Sequence, residues 1–163
     1  MAATGEVWAT FGASSRRIQI ASQRLDFTKL IARVDRLEKR CLRLSHSGRS
    51  RASLRLAAAR LRLLLTELKE IPVEVALPFA ENVLALAPAG RAQSLSTIGS
   101  FALYCANSGQ PHAGRKLLAE ALGQMNWGTR GGARSAELRA AHEDLLAQLN
   151  ANSGPISPYP SSD

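Results

Sequence analysis

Two runs of apolar residues, each spaced alternately by three and four positions, constrain this chain more than any other feature. The first is Phe27, Leu30, Val34, Leu37, Cys41 and Leu44; the second is Leu54, Ala57, Leu61, Leu64, Leu68 and Ile71. Such spacing puts every member on one side of an α-helix and cannot form one face of a strand, whose period is two. The first pattern extends back to Ile20, with Gln23 its one polar interruption, so a helix is expected from about Arg16 to Leu44 without a Gly or Pro inside it. Ser45-His46-Ser47-Gly48 then ends it, with Gly48 available for a left-handed turn. A second helix is expected from Ser50 or Ser53 to about Ile71, before Pro72. Leu56, Leu63 and Leu65 widen its stripe beyond a two-stranded seam, which points to more than one packing neighbour. Two seams of similar length joined by a short polar turn form an antiparallel hairpin; pairing of the first seam with its copy in a second chain, as in a coiled coil, is the alternative. Cys41 on the seam reads as a small buried apolar residue.

The remainder of the chain is also helical in pattern, so the expected class is all-α. After Pro72 comes a short amphipathic segment over 73–86 in which Pro78 should kink or restart the helix. Helices are expected over about 91–107, 111–125 and 133–149, the last with an apolar row at Leu138, Leu145, Leu146 and Leu149. Gly128, Gly131 and Gly132 mark a loop between the final two. At the ends, residues 1–15 read as a flexible Ala/Ser/Thr-rich segment whose Trp8 and Phe11 tuck onto the domain. Residues 151–163, with three prolines, read as a disordered tail. The organisation expected is one all-α domain over 16–150, divided into a hairpin over 16–71 and a second half over 72–150. With 163 residues there is room for one ordinary core and not for two large domains.

One stretch, residues 95–128, resembles the tetratricopeptide family of helix-turn-helix repeats. Ile98, Phe101, Ala102 and Cys105 stand at that family's first-helix positions, Gly109 in its turn, and Gly114, Leu118, Ala121 and Leu122 at its second-helix positions. The family's Trp, Tyr and terminal Pro are absent. The preceding stretch, Ser53 to Pro88, matches only at its end, through Ala76 and Leu84-Ala85-Leu86-Ala87-Pro88, and its period is 38 rather than 34. The resemblance implies a scaffold that receives a peptide or helix of a partner in a concave groove.

The net positive charge belongs to one third of the chain. Residues 16–70 hold 15 Lys/Arg against 5 Asp/Glu, whereas residues 71–163 hold 6 against 7. The arginines recur in stripes: Arg33 with Arg40, Arg36 with Arg43 (and Lys29 seven positions before Arg36), Arg55 with Arg62, and Arg49 with Arg51 near the turn. These eight are the candidate contact residues for an acidic partner or for nucleic acid, whose phosphates would be neutralised without sequence readout. A solvated face written in arginine, a good helix former, accounts for the same pattern. Aromatic residues that would stack on unpaired bases are nearly absent.

Catalytic chemistry has no foothold. His46, His112 and His142 are dispersed, Cys41 and Cys105 lie far from metal-ligand spacing, and the glycines after Trp127 lack the Lys-Ser/Thr of a phosphate-binding loop. No catalytic, cofactor or metal residue is expected, and no cofactor. The expected function is a non-enzymatic cytoplasmic adaptor or chaperone-like module that binds another protein or a second copy of itself. The alternative is non-specific nucleic-acid binding through the arginine-striped hairpin. No run reaches the roughly 18 apolar residues of a membrane-spanning helix. Residues 1–24 fit an organelle-targeting composition only loosely.

Overall fold

A computed structural model describes residues 2–89, 91–124 and 132–153, and within them the chain is all-α. Seven helices follow one another: α1 (Ala2–Ala21), α2 (Phe27–Leu44), α3 (Gly48–Leu68), α4 (Val73–Ala85), α5 (Arg91–Asn107), α6 (Pro111–Gln124) and α7 (Gly132–Ser153), with a 3-10 turn at Ala87–Ala89. The chain divides into two compact units, Met1–Ser94 and Leu95–Asp163. This division differs from the single domain split at 71/72 that the sequence led us to expect, because α4 packs on α3 and belongs to the first unit.

In the first unit, α2 and α3 form the antiparallel hairpin. Leu30, Val34, Leu37 and Cys41 of α2 meet Leu54, Ala58, Leu61 and Leu65 of α3 in one buried cluster. The helices start where side chains can accept the free amide hydrogens of a first turn. Asp26 Oδ1 accepts from the Lys29 N–H at 2.9 Å, and Ser47 Oγ accepts from the Ser50 N–H at 2.9 Å. The first cap corrects the expectation of one helix from Arg16 to Leu44. The chain turns at residues 22–26, and Ile20, assigned to the seam, is 65% exposed. The second cap makes Gly48 the first residue of α3 and not a left-handed stop.

The expectation of a flexible 1–15 segment is also corrected. Residues 2–15 are most of α1, which packs on α2 and α3. Val7, Phe11, Ile18 and Ala21 lie on one narrow helical stripe and join the hairpin cluster, and the Trp8 ring meets Phe11 edge-on at 6.0 Å. The stripe was hard to see because small residues separate its members. Helix α4 runs unbroken through Pro78, where a kink was expected. It packs on the second buried face of α3, formed by Leu56, Ala59, Leu63 and Thr66, which is the extra neighbour the widened stripe required.

The turns after α3 and α5 are built alike. The Ile71 N–H donates to Thr66 O at 2.9 Å across Glu70, which has φ +50°, and the Gln110 N–H donates to Cys105 O at 2.9 Å across Gly109, which has φ +77°. Both bonds span six residues and satisfy a carbonyl left free at the helix end. Glycine adopts a left-handed φ without steric penalty, whereas a glutamate there meets its own Cβ. Glu70→Gly is therefore expected to stabilise the first unit by about 0.5–1 kcal/mol. Urea unfolding of the full chain reads it as a raised midpoint at an unchanged slope.

In the second unit, Ile98, Phe101, Ala102 and Cys105 of α5 and Leu117, Leu118, Ala121 and Leu122 of α6 are buried. A Cβ built on Gly114 would stand 2.7 Å from the Cα of Ala102, so α5 and α6 touch there backbone to backbone. Helix α7 packs on α6, with Leu149 buried and Leu138, Leu145 and Leu146 partly so. It is longer than the expected 133–149 at both ends and takes in Ala151, Asn152 and Ser153. The rest of the expected tail, 154–163, and Trp127 to Gly131 lie outside the described residues.

Candidate functional site

Helix geometry sorts the arginines. At about 100° per residue, Lys29, Arg33, Arg36, Arg40 and Arg43 fall within about 80° of arc on one flank of α2. They recur at i, i+4, i+7, i+11 and i+14, a row about 21 Å long at 1.5 Å per residue. All five are exposed. Among the described residues Arg33, Arg36, Arg40 and Arg43 have no ion-pair partner, while Lys29 Nζ lies 4.0 Å from Asp26 Oδ2.

The other flank of α2 carries Ile31, Asp35, Glu38 and Leu42, and there α3 answers with Arg51, Arg55 and Arg62. Arg62 reaches Asp35 Oδ1 at 2.8 Å through Nη2 and Glu38 Oε2 at 3.2 Å through Nη1. Its side chain is 12% exposed. Burial works against the charge on this guanidinium, but the hydrogen bonds and attraction of Glu38 and Asp35 outweigh it, so its pKa lies above the ordinary arginine value. Arg51 Nη1 donates to the Leu42 carbonyl, capping the end of α2. Two of the eight predicted contact residues, Arg51 and Arg62, are thus engaged in joining α3 to α2. Arg49 and Arg55 are exposed on α3, Arg55 on the flank of Arg62. Of the eight, the structure gathers only Arg33, Arg36, Arg40 and Arg43 on one flank, where Lys29 of the same stripe joins them.

Sequence reasoning saw the recurrence of these arginines but not the division between flanks. The signal was present: Asp35 and Glu38 are the acidic residues inside α2, and they sit opposite the stripe.

His112 and His142 are engaged and both cysteines are enclosed, while His46 is exposed. Arg115 Nη2 lies 2.7 Å from His112 Nδ1, and His142 Nδ1 lies 2.8 Å from its own helix's Leu138 carbonyl. Cys41 and Cys105 are buried, and burial raises the Cys41 thiol pKa, with Arg40 pulling weakly the other way. Since the thiolate is the reactive form, neither cysteine should label in the native protein at pH 8, and both should label on unfolding. Thiol titration with and without denaturant checks this. Among the described residues no cluster of three His, Cys, Asp or Glu side chains is placed to hold a metal, and no helix is long and apolar enough to cross a membrane.

Comparison with known proteins finds no family model that matches the chain, no similar curated protein and no similar solved structure.

Proposed function

We propose that this protein is a non-enzymatic interaction module, an adaptor or chaperone-like protein of the cytoplasm, that holds a segment of a partner protein. The observation that carries the reading is the row of exposed cations along α2, in which Arg33, Arg36, Arg40 and Arg43 have no ion-pair partner among the described residues, while the opposite flank is neutralised from within. A chain that needed arginine only for solubility would have no reason to keep the two signs on separate sides of one helix.

Support comes also from the likeness of two helical hairpins. Leu56, Ala59, Leu63 and Thr66 of α3 are buried, as are Leu95, Ile98, Ala102 and Cys105 of α5, 39 positions on. Ala76, Ala80, Val83 and Leu84 of α4 correspond in the same way to Gly114, Leu118, Ala121 and Leu122 of α6, 38 positions on. A repeated hairpin is the construction that tetratricopeptide-like scaffolds use to display a binding surface.

A nucleic-acid reading draws on the same stripe, since five cations in about 21 Å would meet several phosphates. It loses Arg51 and Arg62 to internal bonds, and Arg49 and Arg55 stand on α3 and not in the α2 row.

The test is affinity capture with the full chain at about 50 mM salt, with nuclease present. A protein partner retained after nuclease, and lost from an Arg33→Glu/Arg40→Glu variant, supports the reading. Retardation of duplex DNA or RNA at that salt, with no protein retained after nuclease, overturns it.

A further inference from the structure

Helix α3 has two buried faces, and α1 has the counterpart of only one of them covered. Leu54, Ala58, Leu61 and Leu65 of α3 join the cluster with α2, while Leu56, Ala59, Leu63 and Thr66 form the face that meets α4. The residues 45 positions before this second set are Phe11, Ser14, Ile18 and Ala21, and Phe11, Ile18 and Ala21 are buried where α1 packs on its own following helix, α2. The same shift carries the first set to Ala9, Ala13, Arg16 and Ile20. All four are exposed, Ile20 at 65%. Helix α7 shows the opposite case. The residues 84 positions after the first set, Leu138, His142, Leu145 and Leu149, are buried or half-buried where α7 packs on α6. Those 84 positions after the second set are Ala140, Glu143, Ala147 and Asn150, an exposed face with a charge and an amide, as an outermost helix needs. The outer face of α1 instead keeps Ile20 and two alanines in solvent, at positions where α3 and α7 are covered by a packed helix.

We infer that this face of α1 pairs with the same face of a second copy of the chain, helix against helix and antiparallel. Glu6 extends the line to Glu6, Ala9, Ala13, Arg16 and Ile20, the alternating three-and-four spacing of a helix-pairing seam, about 21 Å long at 1.5 Å per residue. All five are exposed, and among the described residues neither Glu6 nor Arg16 has an ion-pair partner. About a two-fold axis level with Phe11, Ala9 faces the partner's Ala13 and Glu6 faces the partner's Arg16, each contact occurring twice. Opposite charges meet only when the two helices run in opposite directions; a parallel pair would set Glu6 on Glu6 and Arg16 on Arg16. The central alanines let the axes approach to the short end of the roughly 8–10 Å range of packed helices. The Ile20 side chain leans back toward the start of its own helix and so comes over the partner's Gly5. In α1 nothing lies within 4 Å of a Cβ placed on Gly5, so that hollow is open.

The length of the seam sets its strength. Five positions on each of two helices bury less than the roughly 1,200 Å² at which standard interfaces begin, so a dissociation constant of about 10–100 μM is expected. Other occupants suit the face less well. Nucleic acid would meet only Arg16 and Arg17, with the Glu6 carboxylate on the same face. A bilayer that took in Ile20 would have to take Glu6 and Arg16 with it. The inference is independent of the α2 row, which lies on another helix and shares no residue with this seam.

Sedimentation equilibrium of the full chain between about 5 and 500 μM, at about 150 mM salt, tests it. A monomer–dimer equilibrium is expected. Ala13→Glu and Ile20→Ser should each weaken it by about tenfold or more, and Val75→Ser, which removes a 51% exposed apolar group from α4, should leave it unchanged. Every substituted residue is exposed, so the variants should keep the helical circular dichroism of the parent. Glu6→Arg and Arg16→Glu should each weaken dimerisation by about tenfold, because each sets like charges together twice. An equimolar mixture of these two variants should recover the dimer, since both contacts of the mixed pair then join opposite charges, and general stickiness would give no such recovery. A chain that stays monomeric at about 500 μM would overturn the inference. So would a dimer insensitive to Ala13→Glu and Ile20→Ser, or charge variants that do not complement one another. None of these results bears on capture of a partner through the α2 row, so failure of the dimer leaves the interaction-module reading standing, and failure of the capture leaves the dimer.

Discussion

Replacing Leu63 or Leu65 by alanine is expected to destabilise the first unit by about 3 kcal/mol each, whereas Leu64→Ala should change stability by less than about 1 kcal/mol. Three consecutive leucines differ so much because successive side chains on a helix point about 100° apart. Leu65 is fully buried in the cluster shared with α1 and α2, and Leu63 is fully buried on the face that meets α4. Leu64 points between them and is 36% exposed. Removing either enclosed isobutyl group loses its transfer free energy and leaves a cavity that neighbours on both sides of α3 keep from collapsing. Urea unfolding followed by circular dichroism measures all three. A large loss at Leu64 would mean that its flank is covered.

Gly114→Ala should be the most damaging single-methyl change, costing about 2 kcal/mol net even though alanine is the better helix former. The added Cβ would stand 2.7 Å from Ala102 Cα and 3.0 Å from both Ala102 O and Cys105 Cβ. Two of those three atoms are backbone, so relief requires α5 and α6 to move apart and to uncover Phe101 and Leu118. Gly12→Ala is the matched opposite. Nothing lies within 4 Å of its Cβ position inside α1, and the change should stabilise by about 1 kcal/mol. Thermal melts of the two variants should shift in opposite directions from the parent. Equal shifts would show that helix propensity, and not helix contact, governs both sites.

Much of this fold was legible in the sequence, and the parts that were not share a cause. The seams of α2 and α3 show because long side chains repeat at three and four. The N-terminal helix did not, since Val7, Phe11 and Ile18 are diluted by Ala, Ser, Thr and Gly, and a stripe of three side chains over three turns is indistinguishable from chance. The break at residues 22–26 was hidden by Ile20, which continued the periodicity although it faces solvent. Asp26 was the available signal, an N-cap residue just ahead of the α2 seam. Pro78 misled in the other direction: α4 continues through it, held in place on α3.

The candidate site shows the same division. That arginines recur along α2 is a property of the sequence, because recurrence at seven means one face on any helix. Which arginines remain available is not, because that depends on what α3 places beside them. Arg51 and Arg62 obey the same spacing rules as Arg36 and Arg43, yet they are turned toward a carbonyl and two carboxylates of the neighbouring helix. The sequence by itself determined an all-α chain with its charge gathered on one hairpin, since periodicity and composition are local properties of the backbone's 3.6-residue turn. Only the tertiary structure decided which flank of α2 stays cationic and which leucines of α3 lie open. Pairing two helices sends one flank of each inward to neutralise the other, and the surface that remains is set by the register between them.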